Sequence, residues 1–429
     1  MDARAKTRRW LMRVIAGALL LRVIAAVGLQ VFLDSRDPPR RFLIEGDAEG
    51  YWDLAGDLAA RRDYAVYTPP RRILRMPGFP LVLALPRLCF GDHLFPARLW
   101  LACVGTLACW GVYRLGAVLV DDVVGLLAAS LAAVSPVFNL FTPVILSETT
   151  SAAAMLLSLI PAARLWRQLS LESEVPPATA RLAILTGLGM AAATYVRPSW
   201  LLVGPGLGVA LLIFQKRRWQ ATRDAVLVTA TLIAALVPWA LRNQSVTGHF
   251  VLTSLWMGPS LYDGLNPEAT GDSNMAFFDR DNLLSRMSEY EVNAHYKDEA
   301  WRYAREHPEH VLQLAVAKLW RYWKPWPNAE QFRNMAAIVG VGLVFVIILA
   351  LAIVGAWQSR ADVGLLLLTA GPILYFSAVH LFFVSSLRYR LPAEYPLLVL
   401  SGIGLRAWLS QSLPAGTGLG VPLSCPETR

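Results

Sequence analysis

Long apolar runs recur along most of this chain, and they limit what it can fold into more than any other feature. Such runs occur in about ten places: residues 10–33, 94–119, 123–141, 148–166, 181–196, 199–214, 224–241, 335–357, 362–384 and 393–410. A transmembrane helix needs roughly 20 predominantly apolar residues, and 55% of all side chains here are hydrophobic. The sequence therefore predicts an all-α polytopic membrane protein.

The positions of lysine and arginine near the span ends predict the orientation of the chain. Basic residues collect at the N-terminus and in alternate loops, for example at Arg164, Lys216 and Arg360, and loops rich in them remain cytoplasmic. The loop 34–93 is also rich in arginine, yet this topology places it on the outer side. Arginines on that side suggest an anionic partner. No basic-aromatic pattern indicates nucleic acid, so the net charge of +9 points to lipid headgroups instead.

The runs and loops divide the chain into six segments. We expect a first transmembrane helix at 1–33, an outer loop with an acidic motif at 34–93, a helix bundle at 94–241, a large outer loop at 242–333, C-terminal transmembrane helices at 334–411 and a tail at 412–429. The first outer loop should contain short interfacial helices, one at 48–60 and one beginning near Pro77. The second should contain a polar helix at 282–306 and an amphipathic helix at 311–323.

Carboxylates are dense just beyond the first span, in the stretch Glu45–Leu54. Charges beside a bilayer are costly to desolvate and must face water, headgroups or a cation, which makes Asp47 and Glu49 the first candidates for chemistry. The structural alternative for Asp47 is a helix N-cap, with Glu49 merely solvated.

Three other charged positions fall at the same predicted membrane face. Glu148 begins an apolar span, where the helix dipole alone would favour an acid. Arg388-Tyr389-Arg390 could bind a phosphate with two guanidiniums, although snorkelling at the interface is the simpler reading. Arg197 lies between two spans and is equally compatible with a phosphate site and with a membrane anchor.

With these positions in this order, the sequence resembles a known family, the polytopic glycosyltransferases with the GT-C fold. The resemblance is specifically to the bacterial relatives of protein O-mannosyltransferases and of the lipid A aminoarabinose transferase. The resemblance covers nearly the whole chain and follows the family's order. Its motifs are Gly46-Asp47-Ala48-Glu49-Gly50-Tyr51, Arg75-Met76-Pro77-Gly78-Phe79-Pro80, Ala97-Arg98-Leu99, Leu146-Ser147-Glu148, Val196-Arg197-Pro198, Pro238-Trp239-Ala240-Leu241-Arg242-Asn243, Gly264-Leu265-Asn266-Pro267 and Arg388-Tyr389-Arg390-Leu391-Pro392.

The resemblance implies transfer of a sugar from a polyprenyl-phosphate donor to a lipid, glycan or protein acceptor, with inversion. It implies that Asp47 is the general base and that four arginines, with Lys318 as a looser match, lie near the donor phosphate: Arg75, Arg197, Arg388 and Arg390. Tyr51, Glu148, Asn266 and Tyr389 are further site candidates. Ala48 separates Asp47 from Glu49 where the family more often has an adjacent pair, so the role of Glu49 stays open.

The resemblance also implies a location and a cofactor requirement. We expect a bacterial inner (plasma) membrane protein with its active site on the periplasmic or outer face. Asp47, Glu49 and Glu148 could supply oxygen ligands to a divalent cation, but the mannosyltransferase relatives imply no metal, so none is predicted. Two alternatives remain from the sequence: a flippase or transporter of lipid-linked sugars, and an assembly partner of envelope machinery with a degenerate site.

Overall fold

In the computed structural model, which describes residues 3–171, 178–328 and 335–412, each predicted apolar run forms one helix or two short helices in succession. The α-helices are α1 (Ala3–Asp34), α2 (Asp47–Ala59), α3 (Gly78–Phe90), α4 (Leu94–Leu119), α5 (Asp122–Val134), α6 (Pro136–Phe141), α7 (Glu148–Ser170), α8 (Ala180–Val196), α9 (Val203–Phe214), α10 (Arg218–Thr247), α11 (Met257–Gly264), α12 (Ala276–Asp281), α13 (Glu289–Glu306), α14 (Pro308–Trp323), α15 (Met335–Gln358), α16 (Val363–Thr369), α17 (Gly371–Val379) and α18 (Leu387–Ser412). The prediction of an all-α polytopic membrane protein is confirmed.

Within these residues, four helices are by themselves long and apolar enough to cross a membrane: Ala5–Asp34, Leu94–Leu119, Arg218–Thr247 and Ile338–Gln358. Others are shorter because the span is broken. Proline causes the break between α5 and α6, where Pro136 forces Ser135 out of the helical region to a ψ of 118°. A second break lies between α16 and α17, just before Gly371-Pro372.

The last helix, α18, runs through the middle of the bundle. It packs against α15, α5, α7 and α4, and every residue from 391 to 400 is buried. Glu394, which pairs with Arg390, is the one charged residue of this stretch, and a helix that is apolar on nearly all sides belongs in an interior. The charged first turn of α18 is therefore held in a fixed position relative to the helices around it.

The two ends of the bundle differ in the kind of contact they make. At one end, single ion pairs join neighbouring helices, Arg167 to Asp362 at 2.7 Å and Arg406 to Asp121. At the other end lie the loop after α1, the short turns before α7 and after α8, and the start of α18. The candidate site lies at this second end.

Residues 242–333, which we call the second outer segment, form hydrogen bonds with the backbone of the first outer loop (34–93). The carboxylate of Glu289 accepts hydrogen bonds from the backbone N–H groups of Arg72 (2.5 Å) and Ile73 (3.1 Å), and Arg242 Nη1 donates to the carbonyl of Arg72 at 2.7 Å. These contacts fix the backbone just before Arg75.

Three predicted boundaries in the second outer segment differ from those observed. Helix α10 continues past Arg242 to Thr247 and stops at Gly248, whose φ of 76° ends a helix readily. The polar helix begins at Glu289 and not at 282, because Ser288 and Glu291 form a capping box there. The amphipathic helix starts earlier than predicted, at Pro308. Of the predicted tail 412–429, residues 413–429 lie outside the described residues.

Candidate active site

Asp47 is the first residue of α2, and both of its carboxylate oxygens face arginines. Oδ1 accepts a hydrogen bond from Arg75 Nη2 at 2.5 Å, and Oδ2 lies 2.8 Å from Arg388 Nη1. The alternative that Asp47 is a plain N-cap is wrong, because Gly46 holds the N-cap position with a φ of 71° and no side chain caps this helix. A residue without Cβ adopts that backbone at little cost, which leaves the Asp47 side chain free to point toward the bundle.

Glu148 lies behind Arg388, as the first residue of α7, and is only 2% exposed. Its Oε1 accepts a hydrogen bond from Arg388 Nε and lies 3.4 Å from Arg197 Nη2. Its other oxygen, Oε2, is buried without a hydrogen-bond partner among the described residues. The sequence left open whether Glu148 is an acid favoured by the helix dipole or a residue of the site. In the structure it begins α7 and also contacts the guanidiniums of Arg388 and Arg197.

We call this group the arginine cluster; it consists of Asp47, Arg75, Glu148, Arg197 and Arg388. With three guanidiniums and two carboxylates it carries a formal charge of +1. Arg75, Arg197 and Arg388 are each less than one-fifth exposed, whereas 36% of the Asp47 side chain is open. The cluster is therefore a mostly dry, cationic site with one accessible carboxylate.

Burial and charge act in opposite directions on Asp47. Burial alone would raise the pKa of Asp47, but the neighbouring guanidiniums of Arg75 and Arg388 outweigh it and hold that pKa well below its ordinary value. Burial likewise opposes the charge of Arg75, while Tyr51 and Asp47 raise the pKa of Arg75 above its usual range. Both groups are therefore ionised at neutral pH.

Aromatic rings support the guanidiniums of the cluster. Arg75 lies over the Tyr51 ring at 4.3 Å from its centroid. Tyr389 lies beneath both Arg197 (5.4 Å) and Arg388 (5.8 Å), and His380 stacks on Tyr389 with ring centroids 4.7 Å apart. Guanidiniums held over ring faces keep their N–H edges available for an anion.

Two of the residues near the cluster were not predicted from the sequence. His380 reaches Tyr389 by stacking, and Tyr67 donates a hydrogen bond from its hydroxyl to the carbonyl of Gly46 at 3.0 Å. The only signal near Tyr67 was the turn-forming pair Pro69-Pro70, and His380 had none. Both are tertiary contacts, which no local pattern encodes.

Glycine allows two segments of the site to meet. A Cβ on Gly78, the first residue of α3, would lie 2.5 Å from the backbone carbonyl of Tyr195, far inside any allowed contact. The start of α3 therefore rests directly on the end of α8. This contact brings the segment that carries Arg75 close to Arg197.

Glu49 and Arg390 lie apart from the arginine cluster. Glu49 is exposed, and no hydrogen bond or ion pair joins it to another described residue. Arg390 is 1% exposed and pairs with Glu394 at 2.5 Å, while its Nη1 donates to the carbonyls of Tyr322 (2.7 Å) and Lys324 (3.0 Å). The guanidinium of Arg390 thus links α18 to the end of α14.

Lys318 and Asn266 lie outside the arginine cluster, and each donates to a backbone carbonyl in the segment 262–264. Lys318 is fully buried, and its Nζ donates to the carbonyls of Gly264 (2.8 Å), Leu381 (3.1 Å) and Phe382 (2.9 Å). Asn266 donates to the carbonyl of Tyr262 at 2.7 Å. All three N–H groups of Lys318 are used on carbonyls, so this lysine joins the second outer segment to the loop before α18.

Among the described residues, no three His, Cys, Asp or Glu side chains lie close enough together to share a metal ion. Asp47 and Glu148 are bridged by Arg388, and Glu49 is not beside them. The three guanidiniums of the cluster outnumber its two carboxylates, and this excess of positive charge favours an anionic ligand.

Comparisons with known proteins agree with this architecture. A family model described as dolichyl-phosphate-mannose-protein mannosyltransferase matches residues 74–241, which is less than half of the chain. No curated protein sequence matches the chain.

Solved structures resemble the chain over most of its length. The archaeal oligosaccharyltransferase AglB from Archaeoglobus fulgidus, in complex with an inhibitory peptide and a dolichol-phosphate, superposes with a TM-score of 0.55 at 13% identity, over 95% of this chain and 52% of that one. The apo form of the A. fulgidus oligosaccharyltransferase gives a TM-score of 0.55 at 12% identity, over 92% and 51%. ArnT from Cupriavidus metallidurans, bound to undecaprenyl phosphate, gives 0.44 at 16% identity, over 93% and 78%.

The helical bundle, with the arginine cluster at one end, defines a multi-pass membrane protein with the GT-C fold, as the sequence predicts. The chain spans about half the length of the oligosaccharyltransferase structures that it matches.

Proposed function

We propose that this protein is an integral membrane glycosyltransferase that moves a sugar from a polyprenyl-phosphate donor to a lipid, glycan or protein acceptor. The observation that carries the proposal is the arginine cluster, in which Asp47 lies between Arg75 and Arg388. The family match over residues 74–241, which include Arg75, Glu148 and Arg197, supports the same activity.

The cluster matches the charge changes of such a reaction. The leaving group is a lipid phosphate, whose negative charge grows as the sugar departs. Preorganised guanidiniums in a site with little water stabilise this charge most effectively. The cluster has an excess of one positive charge, and Arg75, Arg197 and Arg388 are the donors available to a phosphate.

Asp47 is the proposed general base. An acceptor hydroxyl must lose its proton as it attacks the anomeric carbon, and a positioned carboxylate can accept that proton. Attack assisted by one base, without a covalent intermediate, inverts the anomeric carbon. Of the two cluster carboxylates, Asp47 is the accessible one, and Glu148 is nearly fully buried.

The contacts of Asp47 with Arg75 and Arg388 suggest how the base becomes active. Asp47 now occupies N–H groups of Arg75 and Arg388, and these interactions lower its basicity. When a donor phosphate takes over those N–H groups, Asp47 loses part of its stabilisation and its pKa rises. Donor binding would thus prepare the base, and an empty site would not deprotonate water or other hydroxyls efficiently.

We place the site at the periplasmic or outer face of a bacterial inner (plasma) membrane, because basic residues favour the cytoplasm for the opposite end of the bundle. No cofactor is proposed, and the cluster can act without a metal.

A transfer assay tests the proposal. Purified protein in lipid is given a panel of polyprenyl-phosphate sugars, and release of free polyprenyl phosphate is followed with and without a chelator. We expect release that is insensitive to chelator and lost in Asp47→Asn. Full activity of Asp47→Asn would contradict the assigned base. Movement of labelled lipid across the bilayer without any covalent product would favour the transporter alternative.

A further inference from the structure

Arg71 lies beside the arginine cluster but outside it, and its guanidinium is held by three aromatic rings. The Cζ atom lies 5.0 Å from the ring centroid of Tyr67, 5.4 Å from that of Trp256 and 4.6 Å from that of Phe278. Phe278 and Trp256 also contact each other edge to face at 5.0 Å. These rings cover the guanidinium and fix its orientation.

The N–H groups of Arg71 are unused. No hydrogen bond or ion pair joins its side chain to any described residue, and its buried Nε has no partner. Glu289 is nearby, but its two oxygens accept from the backbone N–H groups of Arg72 and Ile73. Asp279 attracts the Arg71 guanidinium electrostatically, but it lies beyond ion-pair distance. A buried donor left unpaired costs about 1–3 kcal/mol, so a ligand that supplies acceptor atoms would be stabilised here.

Tyr67 connects this guanidinium to the cluster. Its hydroxyl donates to the carbonyl of Gly46 at 3.0 Å, directly before Asp47, and would lie 2.8 Å from a Cβ at Gly50. One tyrosine side chain therefore separates Arg71 from the start of α2. The ring is also accessible, because Tyr67 is 41% exposed.

The backbone of Tyr67 is strained in order to hold this position. Its φ is 67°, a region that residues other than glycine rarely adopt. The backbone pair between Val66 and Arg71 closes the turn around it, with hydrogen bonds of 3.1 and 2.9 Å. Strain of this kind, of order 1–3 kcal/mol, is often kept where a side chain has a functional position.

We propose that Arg71, together with the rings of Tyr67 and Trp256, binds an anionic group of the acceptor, which is a saccharide bearing a phosphate or a carboxylate. Phosphate and carboxylate match the planar edge of a guanidinium, and the exposed ring of Tyr67 suits the C–H face of a sugar. Trp256 and Phe278 belong to the second outer segment, so the site is shared by both outer segments. That this ligand is the acceptor rests on the function proposed above; the anion site itself does not.

Binding measurements on the full-length protein in lipid nanodiscs test the site. The probes are glucose 6-phosphate, glucuronic acid and glucose, and saturation-transfer difference NMR gives each affinity. We expect the two charged probes to bind and glucose to bind much more weakly. In Arg71→Gln the charged probes should bind at least about tenfold more weakly, the effect of losing a charge-assisted hydrogen bond. Comparing the two charged probes then identifies phosphate or carboxylate as the preferred group.

Matched variants separate this site from the arginine cluster. Arg286→Gln is the control: Arg286 lies in the second outer segment, is exposed and contacts no ring, so its replacement should not change probe binding. Arg71→Lys keeps the charge without the planar edge and should give intermediate affinity, which guards against a folding defect in Arg71→Gln. Because the arginine cluster is itself proposed to bind phosphate, Arg71→Gln is also measured in the Arg388→Gln background, where its effect on the charged probes should persist.

Several outcomes would overturn the proposal. These are equal binding of glucose and the charged probes, no binding of either charged probe, wild-type binding in Arg71→Gln, or an effect of Arg71→Gln that disappears in the Arg388→Gln background. Release of polyprenyl phosphate is measured in parallel on the wild type. If release fails while probe binding still depends on Arg71, the transferase proposal is wrong and the anion site stands.

Discussion

The carboxylate of Asp47, in the first outer loop, lies 2.8 Å from Nη1 of Arg388 at the start of the last helix. The same guanidinium bonds Glu148 through its Nε. A single arginine thus connects the first outer loop, the start of α7 and the central helix α18. Changes to Asp47 should therefore act mainly on the chemistry, and changes to Arg388 on donor binding.

Replacing Asp47 with asparagine should lower the transfer rate by about 10²- to 10⁴-fold, the usual contribution of a general base. The affinity for polyprenyl phosphate should not fall, because a neutral amide at this position no longer competes with phosphate for the arginines. Glu49→Gln is the matched control, since Glu49 is exposed and lies outside the cluster. The rate at which polyprenyl phosphate is released measures the first effect, and equilibrium binding of polyprenyl phosphate measures the second. A larger loss in Glu49→Gln than in Asp47→Asn would reverse the assignment.

Substitutions of Arg388 and Arg390 should have different effects, the first on donor binding and the second on stability. Arg388→Gln should weaken polyprenyl-phosphate binding by about tenfold or more, because it removes a charge-assisted donor. Arg390→Gln should instead destabilise the fold by about 3–5 kcal/mol, because it leaves Glu394 buried without its partner. Donor titration and thermal unfolding in detergent measure the two properties. Weakened donor binding in a well-folded Arg390→Gln protein would restore Arg390 to the phosphate site.

Lys318→Met should loosen the junction between the second outer segment and the loop before α18. The change leaves the carbonyls of Gly264, Leu381 and Phe382 without their donor, and each unpaired buried acceptor costs about 1–3 kcal/mol. Hydrogen exchange should rise in residues 262–266 and 380–386, and donor affinity should fall less than in Arg388→Gln. If donor binding is lost while exchange is unchanged, Lys318 contacts the phosphate directly.

Gly78→Ala should disturb the site without touching any charged group. The new methyl would meet the Tyr195 backbone at 2.5 Å, and moving α3 away from α8 would separate Arg75 from Arg197. We expect transfer activity to fall while Gly28→Ala, where nothing lies within 4 Å of the added Cβ, leaves it unchanged. Equal activity in both variants would show that α3 can shift without consequence.

The ionisation of Asp47 should make stability depend on pH in a defined direction. Its pKa in the folded protein lies below the ordinary value of 3.8, so the charge stabilises the fold fully above that value. This contribution is lost as the pH falls through the folded-state pKa. The difference in unfolding temperature between wild type and Asp47→Asn should therefore shrink from pH 7 to pH 3. A difference that grows on acidification would mean that the pKa of Asp47 is raised.

Local sequence patterns predicted the spans and most of the site's location. Runs of apolar residues specify helices in lipid because every backbone polar group must be paired within the segment, and those runs became α1, α4, α7, α10 and the others. Asp47, Arg75, Glu148, Arg197 and Arg388 were all proposed from motifs and do meet at one end of the bundle. Their roles in binding and catalysis stay predictions.

Some assignments needed the tertiary structure. Arg388 and Arg390 are two residues apart on α18, so their side chains leave the helix in different directions. One reaches the cluster, and the other reaches the end of α14. Lys318 meets carbonyls from two distant segments, and Tyr67 meets Gly46 across a strained turn.

Local patterns were enough to specify a helical membrane bundle with carboxylates and arginines at one end, because hydrophobic length and charge placement act locally along the chain. Which of those charges contact one another was set by the packing of the folded chain. An ion pair depends on distances of a few ångströms between side chains on different helices, and those distances follow from helix packing, from the direction of each side chain and from glycines such as Gly78 that let backbones meet.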